Sequence, residues 1–215
     1  MNALDIAQFE QLKNQALIID TRQTPDFTEG FVPGSISLGL GKHFVEWITA
    51  LVPTSTPLLI VAAEDDIADT YEALETIGYK QVKGHLEGGF PAWQAAGKRI
   101  DMVIDVTTEE LALDLPFDTK LMLVDVRSVE EFDRGHVKNA ENFPLTQIID
   151  PLQIAQLDED SNIYVYCGGG YRSVVACSIM KKEGFHNLRN ILGGFDALKT
   201  TDNIPLEMPK RSKEK

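Results

Sequence analysis

The chain has 215 residues, 43% hydrophobic and 25% charged, enough for one large domain or for two of about 100 residues with a core each. Its net charge of −13, with a pI near 4.7, argues against partners that are polyanions, whether duplex nucleic acid or an anionic membrane surface. No run reaches about 18 uninterrupted apolar residues, and Met1-Asn2-Ala3-Leu4-Asp5 lacks the basic and apolar regions of a signal peptide, so a soluble, cytoplasmic protein acting on small molecules or proteins is expected.

In chain order, the apolar run Ala16-Leu17-Ile18-Ile19 ends in Asp20-Thr21-Arg22, and Phe27, Gly30 and Val32 follow. An acidic stretch, Ala62-Ala63-Glu64-Asp65-Asp66, comes next, then Gly88-Gly89-Phe90. The polar Gly97-Lys98-Arg99 closes an apparent helix, and Thr107 with Glu110 forms the capping box of a new one, which sets a boundary between residues 1–103 and 104–215. Beyond it, Leu121-Met122-Leu123-Val124 ends in Asp125-Val126-Arg127, and Phe132, Gly135, Val137 and Gly193-Gly194-Phe195 each lie 105 residues after their counterparts. The chain is therefore a tandem repeat, with net charges of −7 and −6 in its two copies. Its last residues, 208–215, are expected to fray.

In the second copy the runs 121–124, 163–166 and 188–192 read as strands, and 173–183 and 194–199 as helices. Short apolar strands separated by helices predict an α/β fold in which each copy is a mainly parallel sheet with helices on both faces. In such sheets ligands sit at the carboxyl ends of strands, which directs attention to Asp125 and above all to the segment after Tyr166.

That segment is Cys167-Gly168-Gly169-Gly170-Tyr171-Arg172-Ser173, leading into the helical Val174-Val175-Ala176-Cys177. Three glycines allow successive backbone N–H groups to point inward, and the helix N-terminus adds its dipole, so the cradle favours thiolate over thiol. Arg172 puts a permanent cation at the mouth, suited to an anionic group. A lone cysteine is more often inert core filling, and that is the reading for Cys177, which lies three residues from both Val174 and Met180. A cysteine with a glycine nest, an arginine and a helix start within seven residues reads instead as a nucleophile.

The pattern Cys167-x-x-Gly170-x-Arg172-Ser173, with Leu123-Val124-Asp125-Val126-Arg127, Gly135-His136-Val137-x-Asn139-Ala140 and Gly193-Gly194-Phe195, resembles the rhodanese family across nearly all of residues 107–200. The first copy resembles a rhodanese homology domain through Asp20-Thr21-Arg22, residues 30–36 and Gly88-Gly89-Phe90-Pro91-Ala92-Trp93. It departs from the pattern where the repeat offset puts Ala62 opposite Cys167 and Ile67 opposite Arg172; the helix alignment there drifts by about a residue, but no cysteine precedes Cys167, so this copy has no nucleophile. The resemblance implies a sulfurtransferase: Cys167 attacks a small sulfur-donor anion, thiosulfate or a persulfide, and passes the sulfur to a thiol or to cyanide. It implies that Gly168, Gly169, Gly170, Tyr171 and Ser173 line the substrate site, that Arg172 holds the donor, and that no metal or other cofactor is needed. Because Asp-x-Arg recurs in the copy without a nucleophile, Asp125 and Arg127 read as a structural pair near the site. His136, matched by Phe31, reads as a hydrogen-bonded residue rather than a base; Trp47, Trp93 and Phe195 read as packing.

Two rivals stand beside this reading. An interaction or sulfur-relay module fits the first copy. A phosphatase or arsenate reductase of the same fold fits less well, because four residues separate Cys167 from Arg172 where dual-specificity phosphatases of this type have five. An inactive copy before an active one resembles both the classical two-domain thiosulfate sulfurtransferases and the C-terminal part of bacterial fusions in which a metallo-β-lactamase-fold persulfide dioxygenase precedes two rhodanese domains; the latter would make such a dioxygenase a partner and glutathione persulfide a donor.

Overall fold

The structure, a computed structural model, describes residues 1–209 apart from the side chain at position 151. The chain divides into two compact units, Met1–Val103 and a second that begins at Ile104.

The first unit runs β1 (Ala3–Leu4), α1 (Ile6–Leu12), β2 (Leu17–Asp20), α2 (Thr24–Glu29), β3 (Ser35–Ser37), α3 (Phe44–Leu51), β4 (Leu58–Val61), a 3-10 turn (Glu64–Asp66), α4 (Ile67–Thr76), β5 (Val82–Leu86) and α5 (Gly89–Ala95). Its strands form one parallel sheet in the order β1-β5-β4-β2-β3. Neighbouring strand residues point to opposite faces, and both faces are buried. Ile18, Leu59 and Val61 join Phe9, Val32, Leu86 and Trp93 on one side, while Ile19, Leu58 and Ile60 are fully buried on the other.

The second unit repeats this plan with β6 (Ile104–Val106), α6 (Thr108–Asp114), β7 (Leu121–Asp125), α7 (Val129–Asp133), β8 (His136–Val137), β9 (Glu141–Asn142), α8 (Leu145–Ile148), α9 (Pro151–Ile154), β10 (Asn162–Tyr166), α10 (Tyr171–Lys182), β11 (Leu188–Ile191), α11 (Gly194–Leu198) and β12 (Leu206–Glu207). Its sheet order, β6-β11-β10-β7-β9, is parallel and matches the first position by position. The Thr107–Glu110 capping box forms as the sequence predicts, and Ser128 and Glu131 make another at the start of α7. The residues before the boundary and part of the end expected to fray are tied down. Asp101 bridges back to Phe31 in an antiparallel clip, and β12 makes the corresponding pairing with β8. Met208 Sδ packs over Gly135; the rest of the tail expected to fray, 210–215, lies outside the described residues.

The helix read from the sequence over 173–183 spans Tyr171–Lys182. Residues 173–180 of α10 are all buried, because the helix packs on β10 and β11 and is covered by α8. It is a central helix with no solvent face over these two turns, and Cys177 is fully buried within it.

Candidate active site

Strand β10 ends at Tyr166, so Cys167 leaves the sheet at its carboxyl edge and α10 begins four residues later. Gly170 caps that helix with φ at 106°, a conformation that glycine adopts without strain, and this turn aims the Gly170 N–H at Cys167 Sγ, 3.1 Å away. Gly168 and Gly169 lie outside the left-handed region, so their roles differ. At Gly168 a Cβ would come within 3.2 Å of Arg172 Nη2, whereas a Cβ on the exposed Gly169 would meet open space. The helix N-terminus and the Gly170 amide thus converge on the sulfur.

The loop is clamped from below. The Phe195 and Asp196 amides at the start of α11 donate to the carbonyls of Cys167 and Gly168, at 2.6 and 3.0 Å. Gly194 permits this approach: it sits at φ 56°, and a Cβ there would collide with the Cys167 carbonyl. The second glycine of the repeated Gly-Gly signature is therefore a requirement of the clamp, whereas a Cβ on Gly193 would meet Ala197 of α11.

Arg172 does not stand as an open cation. It makes a two-pronged pair with Glu131, Nη1 to Oε2 at 2.7 Å and Nη2 to Oε1 at 2.8 Å. Glu131, which the sequence reading did not single out, also closes the capping box with Ser128, and that local role accounts for it without any site. The Arg172 guanidinium holds the Glu131 carboxyl down at about 2, well below the usual carboxylate range. A carboxyl with a depressed folded-state value contributes stability that is complete above its unfolded value of about 4.3 and is lost as pH falls through the folded value. Glu131→Gln is accordingly expected to melt below wild type at neutral pH, with the gap closing between about pH 4.5 and 2 in melts recorded across that range.

Ser173, expected to line the substrate site, lies beside the sulfur. It is fully buried, 3.6 Å from Cys167 Sγ, and its hydroxyl donates to Asn190 Oδ1 at 2.6 Å. Tyr171 is half-buried at the first turn of α10. Asp125 and Arg127 form a buried pair at the end of β7, Nη2 to Oδ2 at 2.6 Å, and Arg127 also donates to the Gly135 carbonyl and stacks on Phe195. The first unit builds the same pair from Asp20 and Arg22, with Gly30 and Phe90 in the matching places. His136 stacks on Phe132, and its Nδ1 lies 2.9 Å from that residue's carbonyl oxygen. Trp93 is core, its indole N–H donating to the Arg99 carbonyl. In the first unit Ala62, at the position of Cys167, is buried and carries no reactive group.

Burial pushes the Cys177 thiol well above the usual range, with Asp105 adding to the effect, so this second cysteine stays protonated and inert. Among the described residues no group of three or more His, Cys, Asp or Glu side chains could hold a metal ion, and no helix is long and apolar enough to cross a membrane.

Comparison with known proteins finds the rhodanese-like domain twice, over residues 5–96 and 107–201. A protein named sulfurtransferase from Allochromatium vinosum is 29% identical over 109 residues, 51% of this chain and 99% of that one. The protein named probable adenylyltransferase/sulfurtransferase MoeZ from Mycobacterium tuberculosis is 28% identical over 178 residues, 78% of this chain and 44% of its own length. The chain spans about half the length of other curated relatives it matches, 48% and 59% of two from Bacillus subtilis. Among solved structures, a thiosulfate sulfurtransferase from Pseudomonas aeruginosa aligns over 98% of this chain and 44% of that one, at 19% identity and a TM-score of 0.44.

Proposed function

The chain belongs to the rhodanese-like domain family, and from that premise we propose that its second unit transfers sulfane sulfur through a persulfide on Cys167. The observation that carries this reading is the Gly170 amide and the α10 N-terminus converging on Sγ at the end of a parallel strand. Negative charge placed on sulfur there, as thiolate or as the outer atom of a persulfide, meets positive backbone dipoles.

In the first half-reaction the Cys167 thiolate attacks the outer sulfur of thiosulfate or of a low-molecular-weight persulfide. A new S–S bond forms as the donor's own S–S bond breaks, and sulfite or the donor thiolate leaves with the electron pair. In the second, cyanide or an acceptor thiolate attacks the outer sulfur and Cys167 leaves as thiolate. Thiocyanate or a new persulfide departs, and no external oxidant or reductant is consumed. Arg172, neutralised by Glu131, acts in this scheme as a strut that fixes the loop, and the donor anion is held chiefly by backbone N–H groups. The reaction requires no metal or organic cofactor. The first unit, with Ala62 in place of the nucleophile, has a structural or partner-binding role, and protein thiols are included among the acceptors of the second.

The test is to incubate the full chain with thiosulfate or glutathione persulfide and follow intact mass and peptide mass. One added sulfur on the peptide that contains Cys167, discharged by cyanide or a thiol, is the expected result. No adduct with either donor, while Cys167 still reacts with iodoacetamide, would overturn the assignment in favour of a binding module.

A further inference from the structure

Behind the sulfur a chain of hydrogen bonds runs out of the core to the edge strand of the sheet. Asn190 on β11 is 2% exposed, and Asp105 on β6 lies opposite it in register. The Asn190 Nδ2 donates to Asp105 Oδ1 at 2.7 Å, its Oδ1 accepts from Ser173 Oγ at 2.6 Å, and Ser173 Oγ lies 3.0 Å from the Gly170 carbonyl oxygen, a second and longer acceptor, and 3.6 Å from Cys167 Sγ. An ionised carboxylate only accepts hydrogen bonds, so Asp105 fixes which end of the Asn190 amide faces Ser173. The amide oxygen, the shorter of two acceptors beside the Gly170 carbonyl, then draws the single hydroxyl hydrogen of Ser173 away from the sulfur, and Ser173 presents a lone pair to Cys167. A lone pair accepts from S–H and repels a thiolate.

The first unit gives an internal control. Sheet register sets Ala3 opposite His85 where Asp105 stands opposite Asn190, and the repeat offset places Ala68 and Ala62 at the positions of Ser173 and Cys167. All four members of the chain differ in the copy without a nucleophile, whereas the Asp20–Arg22 pair is kept there. The network accompanies the chemistry and the ion pair accompanies the fold.

We propose that Asp105 is a positioning residue for Cys167: acting through Asn190 and Ser173, it holds the proton on the resting thiol in opposition to the Gly170 amide, and so sets the pH at which the nucleophile forms. When the proton leaves, or an anionic persulfide takes the place of the thiol, the Ser173 hydroxyl turns its hydrogen to sulfur and leaves Asn190 Oδ1 without that donor. The proposal rests on Cys167 being the nucleophile of the proposed sulfur transfer. The other ionisable groups around the sulfur are Arg172 with Glu131, the Asp125–Arg127 pair and Cys177, with Tyr166 and Tyr171 flanking it in the chain, and substitution at Asp105 leaves all of these side chains in place.

The test is the pH dependence of iodoacetamide alkylation at Cys167, resolved by peptide mass, a readout that needs no sulfur donor and is therefore independent of the transfer assay. In Asp105→Asn the Asn190 amide is free to turn its N–H toward Ser173, releasing the hydroxyl hydrogen to be shared between the Gly170 carbonyl and the sulfur. The alkylation midpoint is expected to fall by about one pH unit, the scale of one hydrogen bond gained by the thiolate. In a Ser173→Ala background the same substitution is expected to produce no further shift. An unchanged midpoint in folded Asp105→Asn, or an equal shift in the Ser173→Ala background, which would mark a through-space charge effect, overturns the proposal. Asp105 lies on an exposed edge strand; should Asp105→Asn not fold, Asp105→Ala is judged by the same two criteria.

Discussion

Cys167→Ser is expected to abolish the sulfur adduct and to lower transfer to cyanide or thiols by about a thousandfold or more, because a serine hydroxyl, unlike a thiol, is scarcely ionised near neutral pH and forms no S–S bond with the donor. The substitution is nearly isosteric, and both Gly170 N–H and Ser173 Oγ remain able to hydrogen-bond the new oxygen, so the melting temperature is expected to change little. Cys177→Ala supplies the contrast. That thiol is fully buried and held protonated, so its loss is expected to leave adduct formation intact at temperatures where the variant is folded. Peptide mass after thiosulfate treatment of both variants decides the point. An adduct that survives in Cys167→Ser and disappears in Cys177→Ala would move the nucleophile to the helix interior.

Arg127→Ala is expected to lower the stability of the second unit by about 3–5 kcal/mol, since it strands the fully buried Asp125 carboxylate without its cation. It also removes the donor to the Gly135 carbonyl and the guanidinium stacked 4.0 Å over the Phe195 ring. For a unit of this size the loss corresponds to a fall in Tm of roughly 10–20 °C. Arg22→Ala is expected to do the same to the first unit, where burial already pushes the Asp20 carboxyl up against the pull of Arg22. Replacing both partners in one unit with apolar residues of similar size is expected to cost much less than removing the arginine alone, because no orphaned charge remains. Calorimetry on the full chain measures all three. Equal melting of Arg127→Ala and wild type would show that the pair is not the structural strut of the strand end.

The Arg127 pair and the Asp105 network differ in what they protect. The pair holds strand ends in both copies, so its loss is read in the melting curve. The network surrounds only the sulfur, so its effect is read in a pH profile. A substitution that moves the melting curve but not the profile belongs to the fold, and the reverse belongs to the chemistry.

Much of this was legible in the sequence because the signals are local. The repeat offset of 105 predicts the shared sheet order, since equal apolar runs at equal spacing make equal strands. The segment from Cys167 to Ser173 predicts a strand end, a turn and a helix start, because Gly170 alone decides where the chain can turn into α10. Thr107 and Glu110, three residues apart, announce their helix for the same reason. What only the tertiary structure decided is which side chains meet. Arg172 reads as a free cation until β7 and β10 are side by side, which brings Glu131 from 41 residues away to neutralise it. Ser173 reads as a residue of the loop, and only the packing of α10 on β11 shows that its hydroxyl meets Asn190. Asn190 could have been noticed as a polar residue inside the apolar run from 188 to 192, but its partner Asp105, 85 residues earlier, is set by sheet order alone. Local sequence fixes backbone conformation through φ, capping and periodicity; the environment of a side chain depends on which strands become neighbours, and that is a property of the assembled sheet.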